Sequence, residues 1–220
     1  MKKKILVVLG GKSKERNVSL SSGNACYEAI KRLGYKVEKF DTANKYIDEI
    51  DKSKTDIIFN ALHGKDGEDG VAQSYFEYLK IPYTHSGVIS SINAMDKNLS
   101  KEIFKKNKIL SPNYITVKKK NYKDSLTLYL IKKNKLNFPI VIKPTNEGSS
   151  IGVKICKNIK ILKKEIKRLF KNYNDLILET YISGQEVQVA VMNGKALGAI
   201  ELKPKRDFYD YKAKYLKSAK

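Results

Sequence analysis

The sequence has little of what a membrane-spanning or secreted protein needs. None of its apolar runs approaches the roughly 18–20 residues that cross a bilayer. Lys2-Lys3-Lys4 ahead of residues 5–9 imitates a secretory signal, but the apolar stretch is too short and runs into Gly10-Gly11-Lys12. Cysteine is nearly absent. Cys26 and Cys156 are far apart and lack metal-ligand spacing, which predicts reduced, partly buried thiols in a cytoplasmic protein. Internal repeats, a Walker A motif and a GxGxxG dinucleotide fingerprint are missing as well.

Arginine is scarce too, at positions 16, 32, 168 and 206 only, so the 44 Lys+Arg that give a net charge of +21 are almost all lysine. Residues 1–90 carry a net +3 and residues 91–220 a net +18. Such a surplus raises nucleic acid as a partner, yet arginine is the better fork for phosphates and base edges. Clusters such as Lys118-Lys119-Lys120 and Lys163-Lys164 fit solvated helix faces or loops. The expectation is therefore no nucleic-acid partner and no membrane, with some attraction for small anions.

What remains is globular. At 220 residues, 41% hydrophobic and 30% charged, the chain has apolar mass for one large domain or two to three small ones. Residues 4–9 form a continuous apolar run bounded by a glycine pair, which suits a buried parallel strand. From Ser21 on, Cys26, Ala29, Ile30 and Leu33 fall at helical spacing, and Gly34 sits where a C-terminal cap belongs. Strands at 35–40 and 56–60, a glycine-rich loop at 63–70 and a helix through Gln73, Phe76 and Leu79 follow, the last stopped by Ile81-Pro82. This rhythm predicts an α/β domain with a parallel sheet over residues 1–93, carrying its ligand groups on loops at the strand C-termini.

An α+β region is expected over 94–183. It has helices through Leu99 and Phe104, at 124–135 and at 157–171, and strands at 114–117, 139–143, 151–156 and 176–179. Residues 184–220 open a third piece with two alternating runs joined by Asn193-Gly194, a strong type I′ hairpin signal. A domain that starts with a hairpin and then stops should leave apolar residues of that hairpin exposed.

Three segments carry chemistry. Residues 145–152, Thr-Asn-Glu-Gly-Ser-Ser-Ile-Gly, follow directly on Lys143-Pro144, and small residues beside a lysine can cradle phosphate oxygens, although an ordinary hairpin turn would look alike. Residues 63–70, His-Gly-Lys-Asp-Gly-Glu-Asp-Gly, hold three glycines and three carboxylates at a strand-to-helix junction, with spacing unlike an EF-hand. Residues 10–19 form a polar loop in which Glu15 and Arg16 either pair on the surface or serve a site.

Taken in order, these segments resemble the D-alanine–D-alanine ligase family of ATP-grasp enzymes. The resemblance rests on Gly10-Gly11 with Ser13, Glu15-Arg16 and Val18-Ser19, on His63-Gly64 with Gly67-Glu68-Asp69-Gly70, and on Met95-Asp96-Lys97. Lys143-Pro144 with Glu147-Gly148-Ser149-Ser150, Gly184 with Glu186, and residues 208–215, Phe-Tyr-Asp-Tyr-Lys-Ala-Lys-Tyr, complete it. It implies a pre-ATP-grasp domain followed by an incomplete ATP-grasp fold, and ATP-dependent joining of two D-alanines through an acyl phosphate for peptidoglycan synthesis. By similarity, Lys97 and Lys143 contact ATP phosphates and the loop with Glu147 and Ser150 covers them. Glu179, Thr180 and Ile182 form the adenine hinge, and Glu186 takes the ribose. Glu15 receives the ammonium of the first D-alanine and is linked through Ser149 to Tyr215. His63 lies near the substrate carboxylates. Tyr209, Lys214 and Tyr215 belong to a flap that closes over the site.

The resemblance also implies a cytoplasmic homodimer that uses Mg2+ or Mn2+. The family's Asp, Glu and Asn metal ligands would follow Lys220, so a C-terminally truncated member is expected, with no metal ligand in these residues and impaired catalysis by the chain alone. Two positions depart from the family pattern: His85 stands where glycine is usual, and Thr180 where the hinge often has lysine. A non-catalytic remnant that binds ATP or D-alanine, and a ligase that uses D-lactate as acceptor, remain open alternatives.

Overall fold

A computed structural model describes residues 2–203. It divides into two compact units. The first runs to Ile103 and includes Asn146–Gly148, and the second comprises Phe104–Thr145 and the chain from Ser149 onward.

The first unit is built on β1 (Lys4–Leu9), whose apolar run is continuous because both of its faces are covered. It is the middle strand of a parallel sheet, between β2 (Lys36–Asp41) and β3 (Ile57–Asn60). Leu6 and Val8 point to one side, into a core with Phe40, Ile58, Phe76 and Ile81. Val7 and Leu9 point to the other, toward Leu20, Tyr27 and Ile30 of α1 (Arg16–Arg32). Phe76 belongs to α2 (Val71–Leu79), so the two helices lie on opposite faces, as alternation along a doubly covered strand requires. Two short helices follow, α3 (Val88–Met95) and α4 (Lys97–Lys106).

The sequence reading begins α1 at Ser21, five residues late. Ser19 is fully buried and its hydroxyl donates to Ala61 O at 2.6 Å, so a polar residue occupies a core-facing position and hides the apolar period. The helix α3 is not anticipated at all, since its Ser90, Ser91 and Asn93 are weak helix formers.

The second unit carries an antiparallel sheet in the order β4 (Tyr114–Lys118), β7 (Asp175–Thr180), β5 (Ile140–Pro144), β6 (Lys154–Cys156). Its core gathers Ile140, Ile142, Leu176 and Leu178 from the sheet with Ile131 of α5 (Asp124–Lys133) and Leu162, Ile166 and Leu169 of α6 (Ile159–Leu169). The strand expected at 151–156 starts only at Lys154, because Ser149, Ser150 and Gly152 all have positive φ and extend the turn. The hairpin β8 (Glu186–Met192)/β9 (Lys195–Leu202) forms as expected, with both Asn193 (φ 50°) and Gly194 (φ 73°) in the left-handed region that a type I′ turn demands. Its valines are exposed, 53% for Val187 and Val189 and 66% for Val191, in line with the apolar hairpin surface expected from the sequence.

No helix among the described residues is long and apolar enough to cross a membrane. Both cysteines are free; Cys26 is half-buried, and burial pushes the thiol of Cys156 up to about 11.

Candidate active site

The C-terminal ends of β1, β2 and β3 converge on the residues singled out by sequence. Gly10 and Gly11, at φ 78° and 73°, turn the chain sharply after β1. A Cβ at Gly10 would lie 2.2 Å from Asp41 Oδ1, so only glycine lets the turn approach the end of β2. Arg16, the first residue of α1, donates Nη1 and Nη2 to the two oxygens of Asp41 at 2.8 and 2.7 Å. Those bonds, opposed by burial and aided by the N–H groups of Ala43 and Gly11, hold the Asp41 carboxyl down at about 2. Arg16 is thus a structural clamp, and it leaves its neighbour Glu15 to face inward.

Glu15 precedes the first turn of α1 and is only 3% exposed, so its carboxylate lies in the interior and not on the surface. Its Oε2 would lie 2.8 Å from a Cβ at Gly64 and 3.1 Å from one at Gly148, so two glycine turns make room for the carboxylate.

The 63–70 turn is assembled from within. The buried amides of Asn60 and Gln73 donate to Gly67 O at 3.0 and 2.7 Å, and Gln73 Oε1 accepts from Gly70 N at 3.1 Å. Gly67 is required because a Cβ there would lie 2.3 Å from Leu62 Cβ. Within this frame Ser13 Oγ donates to His63 O at 2.7 Å, Ser22 Oγ lies 3.0 Å from His63 Nε2, and Glu68 Oε1 is 3.9 Å from His63 Nδ1. Asp69 Oδ1 accepts from Val71 N at 3.3 Å, the carboxylate at a helix start that the motif suggested.

Asp96 accepts from the N–H groups of Asn98 and Leu99 and so caps α4, placing Lys97 at its first residue. Lys97 Nζ donates to Glu147 O at 2.6 Å, and Lys14 pairs with Glu147 Oε1 at 2.5 Å. A cavity of about 590 Å3 opens here, lined by His63, Glu68, Lys97, Glu147 and Gly148 together with Ser22 and Cys26 of α1. It combines carboxylate, ammonium and imidazole groups around apolar walls, the mixture that a zwitterionic amino acid needs. Ser22 and Asn60 escape the sequence reading, and Ser13, Ser19 and Gln73 enter it only as motif or helix positions without a partner.

In the second unit Lys143 on β5 and Glu179 on β7 form a hydrogen-bonded ion pair. The register sets Val141 opposite Glu179, so Lys143 meets the carboxylate across the diagonal of one sheet face. Thr180, at the end of β7, has a buried hydroxyl without a partner among the described residues. Ile182 and Glu186 lie exposed on either side of Gly184, and Ser149 and Ser150 sit in the left-handed turn between β5 and β6. Glu15, His63, Lys97 and Glu147 therefore belong to the first unit, and Lys143, Ser149, Ser150, Glu179, Thr180, Ile182 and Glu186 to the second. Tyr209, Lys214 and Tyr215 lie outside the described residues. No group of three His, Cys, Asp or Glu side chains among the described residues could hold a metal ion.

A parallel α/β unit whose cavity mixes charged groups with apolar walls, followed by an antiparallel unit with a lysine–carboxylate pair on its sheet, fits the class of ATP-grasp ligases that the sequence resembles. Comparison with known proteins narrows the class. Residues 39–86 match the family model "D-ala D-ala ligase N-terminus" and residues 103–220 match "D-ala D-ala ligase C-terminus". The chain is 52% identical over 220 residues to the D-alanine–D-alanine ligase of Pelagibacter ubique, covering all of this chain and 71% of that protein. Its counterpart from Buchnera aphidicola is 40% identical, again over the whole chain and 72% of the relative. Among solved structures, the Bacillus anthracis D-alanine–D-alanine ligase complexed with ATP superposes with a TM-score of 0.81 at 33% identity, over 94% of this chain and 68% of that one. The VanG D-Ala:D-Ser ligase of Enterococcus faecalis gives 0.80 at 28% identity, over 98% and 74%. The chain belongs to the D-alanine–D-alanine ligase family, whose members are ADP-forming carbon–nitrogen ligases.

Proposed function

We propose that this chain carries the ATP-dependent ligation of two D-alanines, supplying D-alanyl-D-alanine for cell-wall precursors in the cytoplasm. The observation that carries the reading is the buried Glu15 carboxylate between the Gly64 and Gly148 turns, beside the cavity of His63 and Lys97. A carboxylate is both an anion and a poor electrophile. Its oxygen attacks the γ-phosphorus of ATP, ADP leaves, and an acyl phosphate forms. The free amine of a second D-alanine then attacks the acyl carbon, the tetrahedral intermediate expels phosphate, and the nitrogen gives up a proton.

The protein's part is to orient reactants and balance charge. Glu15 holds the ammonium of the first D-alanine. His63 stands beside the reacting carboxylate. Lys97 and Lys143 neutralise phosphate oxygens under the turn of Glu147, Ser149 and Ser150, and Glu179, Thr180, Ile182 and Glu186 receive the nucleoside. The unpartnered Thr180 hydroxyl supports that last assignment, since an adenine or a ribose would satisfy it. Ser149 with Tyr215, and the flap residues Tyr209 and Lys214, complete the proposed constellation. The donor sets in the described residues do not fit Mg2+ or Mn2+.

The test is release of phosphate from ATP that depends on D-alanine, with D-lactate and D-serine as alternative acceptors. The dipeptide is the expected product. ATP binding without turnover in the presence of D-alanine would instead establish a binding remnant. Calorimetry on Lys143→Ala is expected to show at least a tenfold loss of ATP affinity, the scale of one charge-assisted phosphate contact. Unchanged affinity would remove Lys143 from the nucleotide site.

A further inference from the structure

We propose that Ser22 is a positioning residue that holds the His63 imidazole as its Nε2–H tautomer, and so decides which ring nitrogen is left for an amino-acid ligand. The inference rests on the reading of the cavity as a substrate site only for its consequence, not for its geometry.

Ser22 Oγ has three polar neighbours: Val18 O at 3.0 Å, Ser19 O at 3.4 Å and His63 Nε2 at 3.0 Å. A hydroxyl has one proton to donate, and carbonyl oxygens can only accept. Ser22 lies inside α1, where a serine hydroxyl characteristically donates back to the carbonyl four residues earlier. That position is Val18, at the shorter of the two carbonyl distances. With its proton committed there, Ser22 offers His63 a lone pair, so the facing Nε2 must carry a hydrogen. In a neutral imidazole the other nitrogen, Nδ1, is then the acceptor.

Nδ1 lies on the Glu68 side, 3.9 Å from Oε1 and beyond hydrogen-bond reach. Glu68 is itself held through its other oxygen by Gly64 N at 2.8 Å. The backbone at His63 is anchored separately by Ser13, so the ring's rotation and tautomer are the only freedoms left for Ser22 to control. An Nδ1 lone pair beside the cavity takes up a proton, and the resulting imidazolium suits the carboxylate beside which His63 is proposed to stand. An Nδ1–H has no such lone pair.

The chain contains two histidines, so 15N-histidine labelling yields two ring spin systems, and His85, which lines the same cavity with its ring edge-on to Phe59, gives the second. Recorded at alkaline pH, where imidazole is neutral, the His63 Nε2 resonance is expected in the protonated range and Nδ1 in the unprotonated range. Ser22→Ala should move both toward the averaged values of a tautomer mixture while His85 stays put, and Ser22→Thr, which keeps the hydroxyl, should restore them. D-alanine titrated into the same samples is expected to bind about three- to tenfold more weakly to Ser22→Ala than to the parent or Ser22→Thr, the effect of one misplaced hydrogen-bonding group. An Nδ1–H tautomer in the parent protein, or spectra unaltered by Ser22→Ala, would overturn the proposal. If D-alanine fails to bind the parent chain, the substrate reading falls while the tautomer result still decides the role of Ser22.

Discussion

Asp41 and Arg16 join the ends of three elements through one ion pair, and their chemistry gives the protein a measurable acid response. The Asp41 carboxyl is held at about 2 in the folded state, against the ordinary carboxylate value near 3.9 in the unfolded chain. Its stabilisation is therefore complete above about pH 5, declines through pH 4 and 3, and is lost as pH falls past 2. Because Arg16 is half-buried and solvent screens the pair, the contribution is of the order of 1 kcal/mol rather than the full linkage value. Asp41→Asn should lower the urea midpoint at pH 7 and flatten the part of the midpoint-versus-pH curve below pH 5. A curve identical to that of the parent would show that the clamp contributes nothing. The two thiols offer a second residue-scale test. With Cys156 buried and its thiolate disfavoured, and Cys26 lining the cavity, a thiol reagent on the native protein should titrate one cysteine promptly and the other only after unfolding. His85 is held at φ 79° with its ring edge-on to Phe59 at 6.0 Å. Relief of left-handed strain and loss of the ring contact nearly cancel, so His85→Gly should shift stability by less than about 1 kcal/mol.

Elements differ in how openly their sequences declare them. The helix α6 is read without difficulty: Leu162, Ile166 and Leu169 recur on one face, and Asn158 before it accepts from Ile161 N at 3.0 Å. Asn158→Ala should cost about 1 kcal/mol in chemical denaturation, the usual value of such a cap, and Asn158→Asp should not. The helix α1 is harder, because its two fully buried positions are Ser19 and Gly23 rather than leucines. Gly23 looks like a helix weakness in the sequence, yet a Cβ there would lie 2.7 Å from Leu9 Cβ. Gly23→Ala gains about 1 kcal/mol of helix propensity and meets an overpacking penalty of about 1–3 kcal/mol. A net loss of stability is expected, read as a lowered melting midpoint. A rise would mean that β1 and α1 can separate at little cost. The turn at 149–152 deceived the strand prediction for a related reason: left-handed residues are legible when they are glycine, and Ser149 and Ser150 are not.

At the scale of the whole molecule, the hairpin β8/β9 is well formed in its own register yet its valines face solvent. Exposed apolar strands associate, so light scattering should rise with concentration, and Val189→Lys should suppress the rise without moving the melting midpoint of either core. Unchanged scattering in Val189→Lys would place the association elsewhere. What the sequence determined by itself was local: the apolar runs that became strands, the glycines and Asn193-Gly194 that became turns, and the motifs that announce the ligase family. Periodicity, capping and turn chemistry act over a few residues, so a linear reading reaches them. Only the tertiary structure decided strand order, the clamp between Arg16 and Asp41, the seating of Glu15 against Gly64 and Gly148, and the meeting of Ser22 with His63, 41 residues apart. Such pairs depend on which strand lies beside which and on how closely a helix approaches its sheet, and those are set by the packing of distant side chains.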